Sequence, residues 1–216
     1  MKNILTILFG CITAIGYSQD LPDLKNYKYD IGFNTNFIFN GIFSSGSTPF
    51  EIMLKKQKTS NKAFRFGGNI YVNSSTSTGA NYSGYTEGSN YTLRAFVGKE
   101  KQEQISKYWI FYYGSDLGVS YLYNYNGYAN NSIISNESTI YDIGGFLTPF
   151  LGIRFQINER IYIATEASLQ ATYAKRFANW KTYDGNGDLD TETKNEFNNF
   201  SFNLRPAAGI FFFYRF

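Results

Sequence analysis

At 216 residues the chain is long enough for one domain of ordinary size. Its 20 Lys and Arg against 17 Asp and Glu leave a formal net charge of +3, too small and too scattered for a nucleic-acid surface. Aromatics make up 19% of the residues, more than a soluble core of this size could bury, yet the mean hydropathy is only −0.31 and no second long apolar run follows the first, which excludes a membrane-spanning helix in the mature part.

The chain opens with a basic residue, Lys2, an apolar stretch from Ile4 to Ile15, and small residues Gly16 and Ser18 ahead of Gln19. This reads as a secretory signal peptide over 1–18, leaving 19–216 as one barrel domain. Leu8-Phe9-Gly10-Cys11 loosely matches a lipoprotein cleavage box. Phe9 is bulky where that box wants a small residue, so cleavage after Ser18 is the better reading. Cys11 is the single cysteine and falls in the leader, so the mature chain has neither a disulfide nor a thiol site.

Eight segments then alternate apolar and polar residues with a period of 2, the pattern of strands with one apolar face. They are Tyr27 to Phe39, Phe50 to Lys56, Phe64 to Val72, Tyr91 to Val97, Trp109 to Tyr125, Ile143 to Ile157, Ile161 to Tyr173, and Asn199 to Phe216. The last is the most pronounced. Phe200, Phe202, Leu204, Ile210, Phe212, Tyr214 and Phe216 share one face, against Ser201, Asn203, Arg205, Phe211, Phe213 and Arg215. Such an end would be a sticky edge in water and makes sense against lipid in a closed barrel. Pro49 and Pro206 suit strand starts or bulges, and Pro149, in mid-pattern, marks a bulge or an unpaired stretch.

The connections alternate in length. Gly41–Pro49, Asn73–Asn90, Asn126–Asp142 and Ala174–Asn199 read as long polar loops, and Gln57–Lys62, Gly98–Lys107 and Asn158–Arg160 as shorter charged turns. The fold expected is all-β: an eight-stranded antiparallel up-and-down transmembrane β-barrel in the outer membrane, loops outside and both termini periplasmic. A secreted β-sandwich or lipocalin-like barrel is the soluble alternative.

The leader, the strand Gly114-Ser115-Asp116-Leu117-Gly118, Gly152-Ile153-Arg154-Phe155 and the terminus together resemble the small outer-membrane β-barrel proteins of Bacteroidota-type Gram-negative bacteria, and distantly the OmpA/OmpX-like eight-stranded barrels. Gly209, Phe212, Tyr214 and Phe216 resemble the terminal signal read by the barrel-assembly machinery. The resemblance implies that machinery and outer-membrane lipid as partners, with an envelope protein as a further one, and no assigned activity.

The faces opposite the apolar ones carry Asp30, Glu51, Lys55, Arg65, Arg94, Asp116, Arg154, Glu166 and Arg205. An eight-stranded barrel is just wide enough for side chains to fill it, so these charges are expected to pair into a lumen network, with Glu166 and Asp116 facing Arg94 or Arg154. The alternative is a narrow channel for ions or small solutes. An enzyme is not expected: the chain has no histidine, and no Lys or carboxylate constellation replaces it. No cofactor is expected beyond weak Ca²⁺ in the 184–192 loop, where Asp184, Asn186, Asp188 and Asp190 place oxygens at alternate positions. That loop departs from an EF-hand, with Leu189 where Gly is needed and Asn195 where the bidentate Glu belongs. The function expected is a non-enzymatic structural, surface-binding or accessory component of the cell envelope.

Overall fold

A computed structural model of the chain describes residues 27–35, 50–78, 84–130, 133–206 and 210–216. The expected leader, the 41–49 loop and Gly209 lie outside them. The strands are β1 (Tyr29–Asn34), β2 (Phe50–Thr59), β3 (Lys62–Thr78), β4 (Gly84–Gln104), β5 (Trp109–Asn130), β6 (Ile133–Gln156), β7 (Ile161–Tyr183), β8 (Leu189–Arg205) and β9 (Ile210–Arg215). From β1 to β7 each strand pairs antiparallel with the next. β9 pairs with both β7 and β1, which closes the ring.

The closed ring therefore has eight strands, with β8 and β9 sharing one place in it. Between the pairs Ser168↔Arg205 and Thr165↔Ile210, β7 advances three residues while the terminal strand advances five. The register therefore differs by two residues between the two pairings. An even excess preserves the alternation, so Arg205 and Phe211 stay on the inner side. The single terminal strand expected from the sequence is thus broken into two.

The strands are much longer than their apolar patterns. Three of the four stretches expected to be long loops, at 73–90, 126–142 and 174–199, are mostly strand: β3 runs on to Thr78, β4 starts at Gly84, β5 reaches Asn130, β6 starts at Ile133, and β7 and β8 meet across 184–188. Beyond the apolar rows these residues are mostly polar, with Tyr128, Phe177, Trp180 and Phe197 interspersed. The backbone ladder keeps them extended there, joined by cross-strand side-chain pairs such as Arg176 with Asp142 and Tyr183 with Glu137. The turn expected at Gly98–Lys107 also shrinks, since β4 continues to Gln104.

Pro149 produces no register shift. It pairs with Ser115 of β5, and the β6–β7 ladder lapses only between Leu147↔Ala171 and Phe150↔Ser168, where proline lacks a donor. The shifts fall instead at Gln57/Thr59, Tyr128/Ala129 and Thr182/Tyr183.

The outer face carries the apolar residues in a continuous band. Leu117 and Val119 are 63% and 64% exposed, Phe202 65% and Leu204 72%. Aromatic rows bound it. On the short-turn side Tyr29 stacks on Phe216 at 5.9 Å and Trp109 packs on Phe155 at 4.8 Å. On the other side Tyr91, Tyr123 and Tyr141 run across three strands at 5.7 and 5.3 Å.

The core is the bore itself, filled by large inward rings, several of them lodged where a facing strand has glycine. A Cβ on Gly32 would stand 2.3 Å from the Phe213 ring, one on Gly67 2.4 Å from Phe96, one on Gly118 2.3 Å from Phe146, and one on Gly152 2.3 Å from Tyr112. Met53, Tyr112, Phe150, Tyr162, Phe211 and Phe213 form one buried cluster on the short-turn half.

Candidate functional site

The inner face assembles charge in layers along the bore. Nearest the short turns, Asp30 is fully buried and accepts hydrogen bonds from Arg215 Nε at 3.0 Å, Tyr162 Oη at 2.8 Å and Gln57 Nε2 at 2.8 Å. Tyr162 stacks on Phe213 at 4.7 Å, and Arg154 lies 4.6 Å over the phenol ring. In the next layer Lys55 Nζ meets Glu100 Oε2 at 2.7 Å, with the ammonium 4.6 Å from the rings of both Tyr112 and Phe213. Gln102 Nε2 donates to the other Glu100 oxygen at 2.7 Å.

Arg65 is the hub. Its guanidinium donates to both oxygens of Glu166, at 2.8 and 3.3 Å, and reaches Asp116 at 3.3 Å and Glu100 at 3.5 Å. It also lies 3.7 Å over the Phe150 ring. One cation 1% exposed thus holds three carboxylates from three strands, with a planar fork suited to bidentate pairing. Together with the aromatic cluster it packs the short-turn half of the bore with buried side chains.

Beyond Arg65 the bore opens into a small recess of ≈40 Å³ lined by Glu51, Arg94, Asp116, Thr148, Gln170 and Arg205 among others. Arg94 donates to Gln170 Oε1 at 3.2 Å. Asn69 Oδ1, Arg94 Nε, Asp116 Oδ1 and Thr148 Oγ1 have no protein partner. The recess has room for about two waters to satisfy them.

All nine residues expected in the lumen network lie on the inner face. Their pairing differs from expectation: Glu166 and Asp116 face Arg65, not Arg94 or Arg154. Glu100 and Arg215 belong to the network and were missed. Glu100 sits in a charged run that reads as a turn, although its spacing from Arg94 and Phe96 already places it inward. Arg215 alternates with Phe211 and Phe213, the same signal at the terminus.

Of the terminal signal, Phe212 packs on Phe33 at 5.6 Å and Phe216 exchanges backbone hydrogen bonds with Tyr29, at 2.8 and 3.0 Å. Tyr214 points outward beside Arg160.

In the turn at 184–188, Asp184 Oδ1 accepts from the amides of Asn186 and Asp188, both at 2.9 Å, and Gly187 takes φ 89°. These amides hold the Asp184 carboxyl below the usual carboxylate range. Among the described residues no three acidic, His or Cys groups converge as metal ligands, and the Asp184 oxygen serves the turn. In the same hairpin Tyr183 Oη donates to Glu137 at 2.8 Å, and that bond pushes the phenol pKa up.

The two ends differ in charge. Among the described residues and outside the bore, the short-turn end carries Lys28, Lys56, Lys58, Lys62, Lys99, Lys101, Lys107 and Arg160 against Glu103 and Glu159. The far end carries Glu87, Glu137, Asp142, Asp184, Asp188, Asp190, Glu192 and Glu196 against Lys175, Arg176, Lys181 and Lys194.

No family model matches the chain, and no curated protein sequence matches it. Among solved structures it is similar to the ferric yersiniabactin uptake receptor FyuA from Yersinia pestis, at 10% identity with a TM-score of 0.43. That similarity covers 82% of this chain and 32% of the receptor, so the chain spans about a third of its length. It is also similar to CarO of Acinetobacter baumannii, at 10% identity with a TM-score of 0.36, over 88% of this chain and 97% of that one.

Proposed function

We propose that this chain is a non-enzymatic outer-membrane β-barrel protein with a closed bore, a structural or surface-binding component of the envelope. Its long hairpins face outward and its short turns face the periplasm. The observation that carries this reading is a closed ring, apolar outside, whose inside is occupied by the Arg65 network and the Tyr112, Phe150, Tyr162 and Phe213 rings.

The dimensions agree. Along β5, Trp109, Phe111 and Tyr113 are the outward aromatics of the short-turn side, and the band between the innermost of them, Tyr113, and Tyr123 of the opposite row is ten residues long. Ten steps of about 3.4 Å, tilted by about 45°, rise about 24 Å, close to the apolar height of outer-membrane barrels. The remaining seven residues of β5, to Asn130, stand clear of that band as polar sheet. Proton-transfer chemistry finds no support: the sequence has no histidine, and Glu100, Glu166 and Asp30 are each engaged by Lys or Arg.

Membrane fractionation with a heat-modifiable gel shift tests the location, and planar-bilayer recording tests the bore. The protein is expected in the outer-membrane fraction and silent in the bilayer. Reproducible single-channel steps that change with Arg65 substitutions would overturn the closed-bore reading.

A further inference from the structure

We propose that the outer wall between β2 and β5 carries a built site for an anionic two-chain phospholipid of the leaflet on the short-turn side. Two recesses, of ≈480 and ≈620 Å³, share Phe64, Lys99 and Ser115 and so form one trough. It arises from a size mismatch in the cross-strand row Lys56, Phe64, Lys99, Ser115. The small Ser115 and the flexible Lys99 leave a floor lower than the walls of Phe64 and Tyr113.

Toward the band the trough is apolar, lined by Phe66, Val97 and Leu117, all exposed. Toward the turns it is ringed by Lys56, Lys58, Lys62, Lys99 and Lys101. Among the described residues only Lys101 has a carboxylate partner, Glu103 at 3.0 Å. Two of the other ammonium groups sit over rings at the rim, Lys56 over Tyr29 at 5.9 Å and Lys58 over Phe64 at 5.6 Å. A cluster of unneutralised lysines above an apolar channel that merges with the lipid-facing band matches one amphiphile. That amphiphile has a net-negative phosphodiester at the rim and acyl chains along Phe66, Val97 and Leu117. A zwitterionic headgroup would bring its own cation against the lysines. The excess of positive charge at this end agrees with the same occupant.

The inference rests on the membrane reading above, and the test separates the two. The full chain, folded in neutral detergent micelles and checked by its gel shift, is titrated with equal amounts of phosphatidylglycerol and phosphatidylcholine of matched chains. Retained lipid is counted by native mass spectrometry. Phosphatidylglycerol should be preferred by about tenfold or more. Lys56→Gln with Lys99→Gln and Lys101→Gln should bring the ratio near one. Ser115→Trp, which fills the trough and leaves every lysine, should lower retention of phosphatidylglycerol. Equal retention by the unaltered protein, a preference unmoved by either variant, or full displacement of the lipid by glycerol phosphate would each overturn the site. The barrel would stand in all three cases. A chain that is soluble and folded without detergent would remove the membrane reading itself.

Discussion

Arg65 and Glu166 lie 101 residues apart in sequence and meet across the bore at 2.8 Å, the arginine also holding Asp116 and Glu100. The relationship is unequal, because one guanidinium serves three carboxylates. Arg65→Met leaves Glu166 and Asp116 without a cation in the interior, while Glu100 keeps Lys55, and should destabilise the barrel by about 3–5 kcal/mol, the range for breaking a buried pair. Glu166→Gln keeps an acceptor for the fork and should cost less, about 1–3 kcal/mol. Urea unfolding in vesicles measures both. Equal losses would show that Arg65 is not the hub.

The ring-into-glycine packing predicts a compensating pair. Gly32→Ala drives a methyl into Phe213 and should cost about 1–3 kcal/mol as overpacking. Phe213→Leu shortens the ring that the methyl meets. The double variant should therefore be more stable than the sum of the two single losses, and strict additivity in the same unfolding assay would refute the contact.

At the terminus, Tyr214→Ser with Phe216→Ser removes aromatics from the outer face beside β1 while leaving the inward Phe213 and Arg215 in place. Export should proceed and membrane insertion should fail, seen as loss of the heat-modifiable form with protein still present in the periplasmic fraction. Normal membrane levels would reduce the terminus to an ordinary strand.

The hairpin turn should be acid-sensitive. Asp184 is stabilised as a carboxylate by the amides of Asp188 and Asn186, so its folded pKa lies below the unfolded value of about 3.9. A depressed pKa contributes stability that is complete above the unfolded value and lost as the pH falls through the folded one. Exchange protection of the Asn186 and Asp188 amides should accordingly hold at neutral pH and drop below about pH 4. In Asp184→Ala it should be low and independent of pH over that range.

On the membrane reading proposed above, the lipid-facing part of this fold is legible in the sequence because one face of each strand is apolar. Phe200, Phe202 and Leu204, or Leu117 and Val119, stand at alternate positions since one face meets an apolar medium. Past Tyr123 and Tyr141 neither face does, so Asn124 to Asn130 and Asn136 to Thr139 have no period to read, and their strands look like loops. Which charges meet is hidden for another reason. Alternation tells that Arg65, Asp116 and Glu166 point inward, but their common level depends on the stagger of β3, β5 and β7 around the ring. Glu100 was recoverable from parity and obscured by its charged neighbours. The trough at Lys99 and Ser115 is invisible to any one-strand reading, being a relation between four strands.

Closure joins segments that are far apart in the chain: Asp30 reaches Arg215 over 185 residues. Pairings of such high contact order are formed late and slowly, since the entropy of closing the intervening chain is spent before any hydrogen bond repays it. On the membrane reading proposed above, until β1 and β9 join, both edges of the sheet carry unsatisfied amides that hydrocarbon will not tolerate. A half-inserted intermediate is therefore the least stable species on the route. Insertion and closure must then be nearly concerted, or an external template must shield β1 until its partner arrives.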